Sequence, residues 1–279
     1  MASCNRWYNR RMKKLVYVVI GILIVSNVIL WSVDLSNQLE VVFFDVGQGD
    51  SAFIEISSFQ ILIDGGPGSV VLEKLSEEMA FYDKTIDLVI LTHPDSDHLS
   101  GLLEVLKRYS VKNVLWTGVV KDSADYDEWL SLIKNTNIII ASAGQRIDLP
   151  DNAYLLIHYP FQSLEGEESS NDTSIVTELI FDDVSFLFTG DISQKIEKQL
   201  DIDSDILKVA HHGSKYSSSS EFIEKVSPEV AVISVGENNW GHPSPEVLST
   251  LFKFGIHTLI TKEINDVKIV SDGNNFSIK

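Results

Sequence analysis

Five of the seven histidines fall in three short places, and each directly follows an apolar, strand-like run. Thr92-His93-Pro94-Asp95-Ser96-Asp97-His98 follows residues 87–91, and His211-His212-Gly213-Ser214 follows residues 206–210. Gly241-His242-Pro243 follows residues 230–235, and a fourth run, 185–188, leads into Thr189-Gly190-Asp191. Imidazoles and carboxylates gathered in this way suit a hard-to-borderline divalent cation. Spacing refines the reading. His93 and Asp95, two apart on an extended segment, can point the same way, whereas Asp97 and His98, adjacent at a helix start, turn toward another point. One short segment can thus serve two metals, which together clamp the attacking and leaving oxygens of a displacement. Asp191, at the end of its own strand, is the natural bridging carboxylate. Taken singly, Asp97 reads as a helix cap and Asp64-Gly65 as an ordinary turn. Taken together, the clustering points to a metal centre.

Such a centre needs elements that bring distant loops to one rim. From residue 39 onward, short runs rich in Val, Ile and Phe alternate with helix-like segments. Residues 39–46, 51–56 and 60–64 read as consecutive strands, 69–80 as a helix, and 86–92 as a near-continuous apolar strand followed by a helix over 98–109. A strand at 113–116 and a helix at 124–135 follow, then strands near 153–159, 173–181 and 184–188. Helices over 193–200, 219–226 and 245–254 then alternate with strands over 206–210 and 230–234, and terminal strands follow residue 256. Buried strands interleaved with helices predict an α/β fold, and strand meanders at both ends exclude a purely parallel doubly wound sheet. Strand ends in such folds are where loops converge on ligands. No linker divides residues 39–279, and the acidic stretch 165–172 reads as a surface loop.

Composition narrows the function classes. The 279 residues are 44% hydrophobic and 22% charged, which excludes a disordered or low-complexity chain. The balance of 22 Lys+Arg against 40 Asp+Glu is lopsided, because Arg6, Arg10, Arg11, Lys13 and Lys14 precede the first acid, Asp34. The remainder carries 17 basic against 40 acidic side chains, a net −23. A body so charged repels polyanions unless a local positive centre overrides the mean field. The only cysteine is Cys4, so a disulfide framework and a thiolate zinc site are both excluded.

The five cations flank a 17-residue apolar run, residues 15–31, interrupted only by Gly21, Ser26 and Asn27. As a helix it would extend roughly 26 Å, near the lower limit for crossing a bilayer. Cations before it and an acidic continuation after it predict a cytoplasmic tail (1–14), a single-pass signal anchor (15–31), a linker (32–38) and an extracellular body (39–279). A cleaved signal peptide fits less well: the run is long for one, and Trp31-Ser32-Val33-Asp34 is not a small-x-small cleavage site.

His93-x-Asp95-x-Asp97-His98 resembles the HxHxDH signature of the metallo-β-lactamase superfamily, with Asp95 replacing the second histidine. Together with Phe44-Asp45-Val46-Gly47-Gln48-Gly49-Asp50-Ser51, Leu62-Ile63-Asp64-Gly65-Gly66, Phe188-Thr189-Gly190-Asp191 and Leu207-Lys208-Val209-Ala210-His211-His212-Gly213-Ser214, it resembles the hydrolase domain of ComEC-type DNA-uptake proteins. Gly241-His242-Pro243 completes the set, and the match runs over about residues 39–279. The resemblance implies an αββα sandwich with a dinuclear site at one edge. It implies His93, Asp95, Asp97, His98 and Asp191 as metal ligands, joined by one of His211 and His212, with His212 preferred. His242 would be a ligand or a proton donor to phosphate. Asp45 and Asp64, with His211, would orient ligands by hydrogen bonding. Many relatives carry a further ligand histidine where this chain reads Ser170-Asn171-Asp172-Thr173-Ser174. The resulting oxygen-rich site suits Mn²⁺ or Mg²⁺ better than a nitrogen-rich one would, so the two divalent ions implied are zinc or manganese.

The expected activity is therefore a membrane-anchored, metal-dependent phosphodiesterase or nuclease acting on extracellular DNA, with catalysis centred on Asp97, His212 and His242. No obligate protein partner is implied. The acidic body keeps a small phosphodiester, a lactone or a cell-wall fragment open as substrate, and a non-catalytic scaffold of the same fold is the remaining alternative. His158 and His257 read as packing or surface residues. Glu237-Asn238-Asn239-Trp240 reads either as a plain surface loop or as a substrate-contacting segment in which Trp240 stacks on a base.

Overall fold

In the computed structural model the described residues are 16–23, 38–164, 167 and 169–279. The chain divides into two units, Met1–Gln38 and Leu39–Lys279. In the first, residues 16–23 are helical (α1) and expose their apolar side chains. The rest of the expected membrane span, with the tail 1–14 and the linker up to residue 37, lies outside the described residues. Among the described residues no helix is long and apolar enough to cross a membrane.

The second unit opens with the expected meander: β1 (Leu39–Phe43), β2 (Ala52–Ile56) and β3 (Phe59–Ile63) pair antiparallel in succession. Helix α2 (Val70–Glu78) leads to β4 (Thr85–Ile90), α3 (Ser96–Leu106) to β5 (Ser110–Trp116), and α4 (Ala124–Ile133) to β6 (Asn137–Ile140). These three crossovers make β3, β4, β5 and β6 parallel neighbours. The second half repeats the scheme. β7 (Arg146–Asp148), β8 (Tyr154–Tyr159), β9 (Val176–Phe181) and β10 (Val184–Phe188) pair antiparallel. Helices α5 (Gln194–Glu197), α6 (Ser220–Val226) and α7 (Pro245–Lys253) then separate the parallel strands β10, β11 (Ile206–Lys208), β12 (Val230–Ile233) and β13 (His257–Ile260). After the one-turn helix α8 (Thr261–Ile264), β14 (Val267–Ser271) returns to pair with β1, and β15 (Phe276–Ile278) closes that edge.

The result is an eight-stranded and a seven-stranded sheet. The two-residue period of the strands sorts their side chains between layers. In β4, Leu88 and Ile90 enter the core between the sheets, while Val89 and the following Leu91 pack beneath α2, α3 and α4. In β11, Ile206 faces the inter-sheet core and Leu207 packs with α5, α6 and α7. Three apolar layers thus separate helix, sheet, sheet and helix, the expected αββα sandwich. Strands β6 and β7 go beyond the expected elements. Both are short and lie at sheet edges, where Ile138 and Ile140 stay exposed and no alternation marks them.

Candidate metal centre

Loops leaving β3, β4, β10, β11 and β12 meet at one rim. Asp64 follows β3, and Thr92 and His93 follow β4. Asp97 and His98 occupy the first turn of α3, and Asp191 follows β10. After β11 the chain makes a tight turn over Ala210–Gly213 in which both His211 and His212 are left-handed, at φ 51° and 52°. Two adjacent non-glycine residues in that region are uncommon, and such strain clusters where side-chain aim matters.

Three imidazoles are fixed by the same device. Nδ1 of His98 lies 2.8 Å from Asp64 Oδ2, and Nδ1 of His212 lies 2.9 Å from the carbonyl oxygen of Ser234. Both partners only accept, so each ring carries its hydrogen on Nδ1. Nδ1 of His93 lies 3.1 Å from Thr92 Oγ1 and 3.2 Å from Ser174 Oγ. The Thr92 hydroxyl already donates to Asp64 and the Ser174 hydroxyl to the Asn171 carbonyl, so His93 is again the donor through Nδ1. The three Nε2 atoms are buried and without hydrogen-bond partners among the described residues, as is Asp191 Oδ1. Buried polar atoms in that condition are costly unless something binds them, and a histidine whose Nδ1–H is held by an acceptor is the usual form of a metal ligand. Asp191 Oδ2 stands 3.5 Å from His98 Nε2 and 3.4 Å from His212 Nε2, and Asp97 Oδ2 is also 3.4 Å from His212 Nε2. The sets His93–His98–Asp191 and Asp97–His98–His212 each gather their donor atoms within 4.8 Å, so the donor set fits divalent cations.

Residues 44–237 match the metallo-beta-lactamase superfamily. The chain belongs to this superfamily. ComE operon protein 3 of Bacillus subtilis is 32% identical over 254 residues, covering 82% of this chain and 32% of that protein. Recombination protein 2 of Haemophilus influenzae is 28% identical over 245 residues, covering 84% of this chain and 29% of that protein. The chain therefore spans about a third of the length of the curated relatives it matches. The crystal structure of the metallo-beta-lactamase fold protein YhfI from Bacillus subtilis superposes with a TM-score of 0.58 at 12% identity, over 84% of this chain and all of that one. This last likeness concerns the fold. The ComEC-type resemblance is thus matched by competence relatives over most of the chain, within a superfamily consisting mostly of metal-dependent hydrolases.

Other residues of the superfamily signature take different positions. Asp95 lies at the edge of the cluster: its Oδ1 receives Lys121 Nζ and, at 2.6 Å, Ser170 Oγ, while its Oδ2 is 3.7 Å from His93 Nε2. It joins none of the close donor sets among the described residues. His211 reaches only to 4.0 Å of Asp191, with its ring beside the Asn171 amide. His242 stands one ring further out, 5.4 Å from His211 centre to centre.

Asp45 is a correction. Its Oδ1 accepts from Gly47 N at 3.2 Å, within its own loop, and among the described residues it hydrogen-bonds no histidine. The acid of that motif which enters the site is Asp50, 3.1 Å from His212 Nδ1 and ion-paired with the buried Lys208. Sequence reading also passed over Thr92 and Ser174, the hydroxyls that fix His93.

The electrostatics follow from burial against clustered charge. Burial alone would depress His212, but the Asp191 and Asp50 carboxylates outweigh it and push its pKa up to about 10. For His98, Asp191 and Asp64 likewise outweigh burial and raise it well above the usual range. His93 is lowered to about 4 by burial and by His98 beside it. Asp97 and Asp191 are held below the usual carboxylate range, the neighbouring histidines outweighing their desolvation. The Nε2 lone pairs that take up protons here are those that would hold a cation, so metal and proton compete for one place.

Proposed function

We propose that the chain is a metal-dependent phosphodiesterase whose substrate is nucleic acid, DNA foremost, at the outer face of the cytoplasmic membrane. The observation that carries the reading is the convergence of three Nδ1-anchored imidazoles on Asp97 and Asp191. A scaffold would have no use for a buried donor set so completely oriented. Two divalent cations, zinc or manganese, held by His93, His98, His212, Asp97 and Asp191 would polarise the phosphodiester and lower the pKa of water toward neutrality.

The chain's own residues supply the rest. Asp64 and the Ser234 carbonyl keep His98 and His212 aimed inward. His212 has both nitrogens committed, so proton delivery to the leaving oxygen falls to His242, whose Nδ1 is buried with no hydrogen-bond partner among the described residues. Burial and the adjacent His211 lower the pKa of His242, which makes the charged ring a stronger acid while keeping less of it charged near neutrality. The name of one relative, Recombination protein 2, favours nucleic acid over a lactone. The net −22 of residues 39–279, 17 basic against 39 acidic side chains, favours short or single-strand segments over long duplexes, because few phosphates can be accommodated against the mean field. Residues 15–31, with the five cations before them, serve in this reading as a membrane anchor that leaves the body outside.

The test is a substrate screen of the full chain with Mn²⁺ and with Zn²⁺, comparing single-stranded DNA, duplex DNA, RNA, cyclic dinucleotides, choline phosphodiesters and a lactone. Hydrolysis of nucleic acid is the expected result, and turnover of the lactone alone would overturn it. For topology, protease added to intact cells should remove the body and spare the N-terminus. A fully protected body would refute the outside placement.

A further inference from the structure

An open groove of about 530 Å³ runs outward beside the metal centre, with His211, Lys215, Tyr216, Trp240 and His242 among its walls. Two of those walls are large aromatic side chains left in solvent: Trp240 is 71% exposed and Tyr216 67%. The rings form a continuous path from centre to rim. His212 to His211 is 6.1 Å, His211 to His242 5.4 Å, and His242 to Trp240 6.4 Å, the last pair inclined by only 32°.

Trp240 is not a loose surface decoration. The Asn238 side chain makes four hydrogen bonds within the loop that carries it. Its Oδ1 accepts from Trp240 N at 3.1 Å and His242 N at 3.0 Å, and its Nδ2 donates to Gly236 O at 3.0 Å and His242 O at 2.8 Å. One side chain thus ties the indole-bearing residue to the histidine beside the centre. An exposed indole on a loop so fixed is a preorganised contact surface rather than an accident of folding.

We propose that this groove is a stacking subsite for an unpaired nucleobase of the strand whose phosphodiester lies at the metal centre, an inference that rests on the phosphodiesterase reading above. Ring chemistry, strand geometry and charge select that occupant. The groove offers faces of aromatic rings, and every base has a π-face, so stacking is tolerant of sequence. A base inside a duplex has both faces covered by its neighbours, so the subsite takes single strands or frayed ends. A quaternary ammonium head group would also suit aromatic walls. Here, however, Lys215, whose Nζ lies 5.2 Å from the Tyr216 ring centre, offsets the Glu246 carboxylate in the same groove, so the walls carry no net negative charge to hold a cation. Stacking also resolves the conflict between a polyanionic ligand and an acidic body, since affinity then comes from rings more than from charge.

The experiment measures binding of the full chain, with Mn²⁺, to a hydrolysis-resistant phosphorothioate thymidine hexamer by fluorescence anisotropy, beside an abasic phosphorothioate hexamer of equal charge. Trp240→Ala should weaken binding of the thymidine hexamer by about fivefold to a hundredfold, the range for loss of one base–aromatic stack, and Trp240→Phe should retain most of it. The abasic hexamer should bind the unaltered chain no better than the thymidine hexamer binds Trp240→Ala. Equal binding of the two hexamers, an unchanged Trp240→Ala, or no binding of the thymidine hexamer would each overturn the proposal. Base-dependent binding without turnover of the natural phosphate-linked hexamer would instead break the phosphodiesterase reading and leave the groove as a binding site.

Discussion

Oδ2 of Asp64 lies 2.8 Å from Nδ1 of His98, and the other nitrogen of that ring faces Asp191 at 3.5 Å. Asp64 also accepts from Thr92 N and Thr92 Oγ1, at 2.8 and 2.7 Å, so one buried carboxylate orients His98 directly and His93 through Thr92. Asp64→Asn should therefore weaken metal binding by about 10- to 100-fold, the usual effect of losing such support. Competition against a chromophoric chelator measures it, and unchanged affinity would show that His98 needs no orienting acid.

Asp97 lies 3.4 Å from His212 Nε2, in the first turn of α3. Asp97→Ala should abolish hydrolysis of bis-p-nitrophenyl phosphate and leave the far-ultraviolet circular dichroism unchanged. Retention of the full rate would eliminate the dinuclear mechanism.

Asp50 and Lys208 form an ion pair that is almost wholly buried. Removing one partner of such a pair strands the other charge, at a cost of about 3–5 kcal/mol. Lys208→Met should lower stability by that amount in urea unfolding, and the double variant Asp50→Asn, Lys208→Met should lose less. A double variant as unstable as the sum of the two singles would mean that the charges do not compensate one another.

Tyr159 supplies a pH dependence away from the centre. Burial, then the nearby Asp172 and Glu167 charges, push its pKa from 10.0 up to about 12. Its hydroxyl donates to the Asp172 carbonyl at 2.9 Å. Because the folded value is raised, the neutral phenol stabilises the fold fully below about pH 10, and this contribution is lost as pH climbs toward 12. Burial raises Tyr126 as well, so absorbance titration at alkaline pH should show a late-ionising phase that shrinks by one tyrosine in Tyr159→Phe. The same variant should lose less stability over that window than the unaltered chain, and parallel losses would contradict the assignment.

What the sequence made legible was whatever depended on segments in contact with themselves. The ligand-bearing segments end strands of strong apolar pattern, so β4, β10 and β11 and the loops after them are readable residue by residue. The loop between β1 and β2 was harder. It holds two acids, Asp45 and Asp50, and composition cannot say which turns inward. That choice is made by backbone: Gly49 sits at φ 148°, and a Cβ there would lie 2.3 Å from the carbonyl oxygen of Asp97. This close approach delivers Asp50 to Lys208 and His212 while Asp45 closes on Gly47. Lys208 was hidden for a similar reason, since a lysine in a three-residue strand signals burial only once its partner is known. Asp95 illustrates the converse: Lys121 and Ser170, 26 and 75 residues away, draw off an oxygen that local spacing assigns to the cluster.

Gly65 and Gly101 leave no room between the loop after β3 and helix α3. A Cβ on Gly101 would lie 1.8 Å from the Gly65 carbonyl oxygen, and one on Gly65 would lie 2.3 Å from Leu102 N. Gly65 N also donates to His98 O at 2.8 Å, and Gly101 N to Gly66 O at 2.9 Å. The segment bearing Asp64 and the helix bearing Asp97 and His98 are thereby riveted backbone to backbone. When the helix breathes, the histidine and the acid that steers it travel as one rigid piece, so the aim of the ring survives thermal motion that would blur a pair meeting only through side chains.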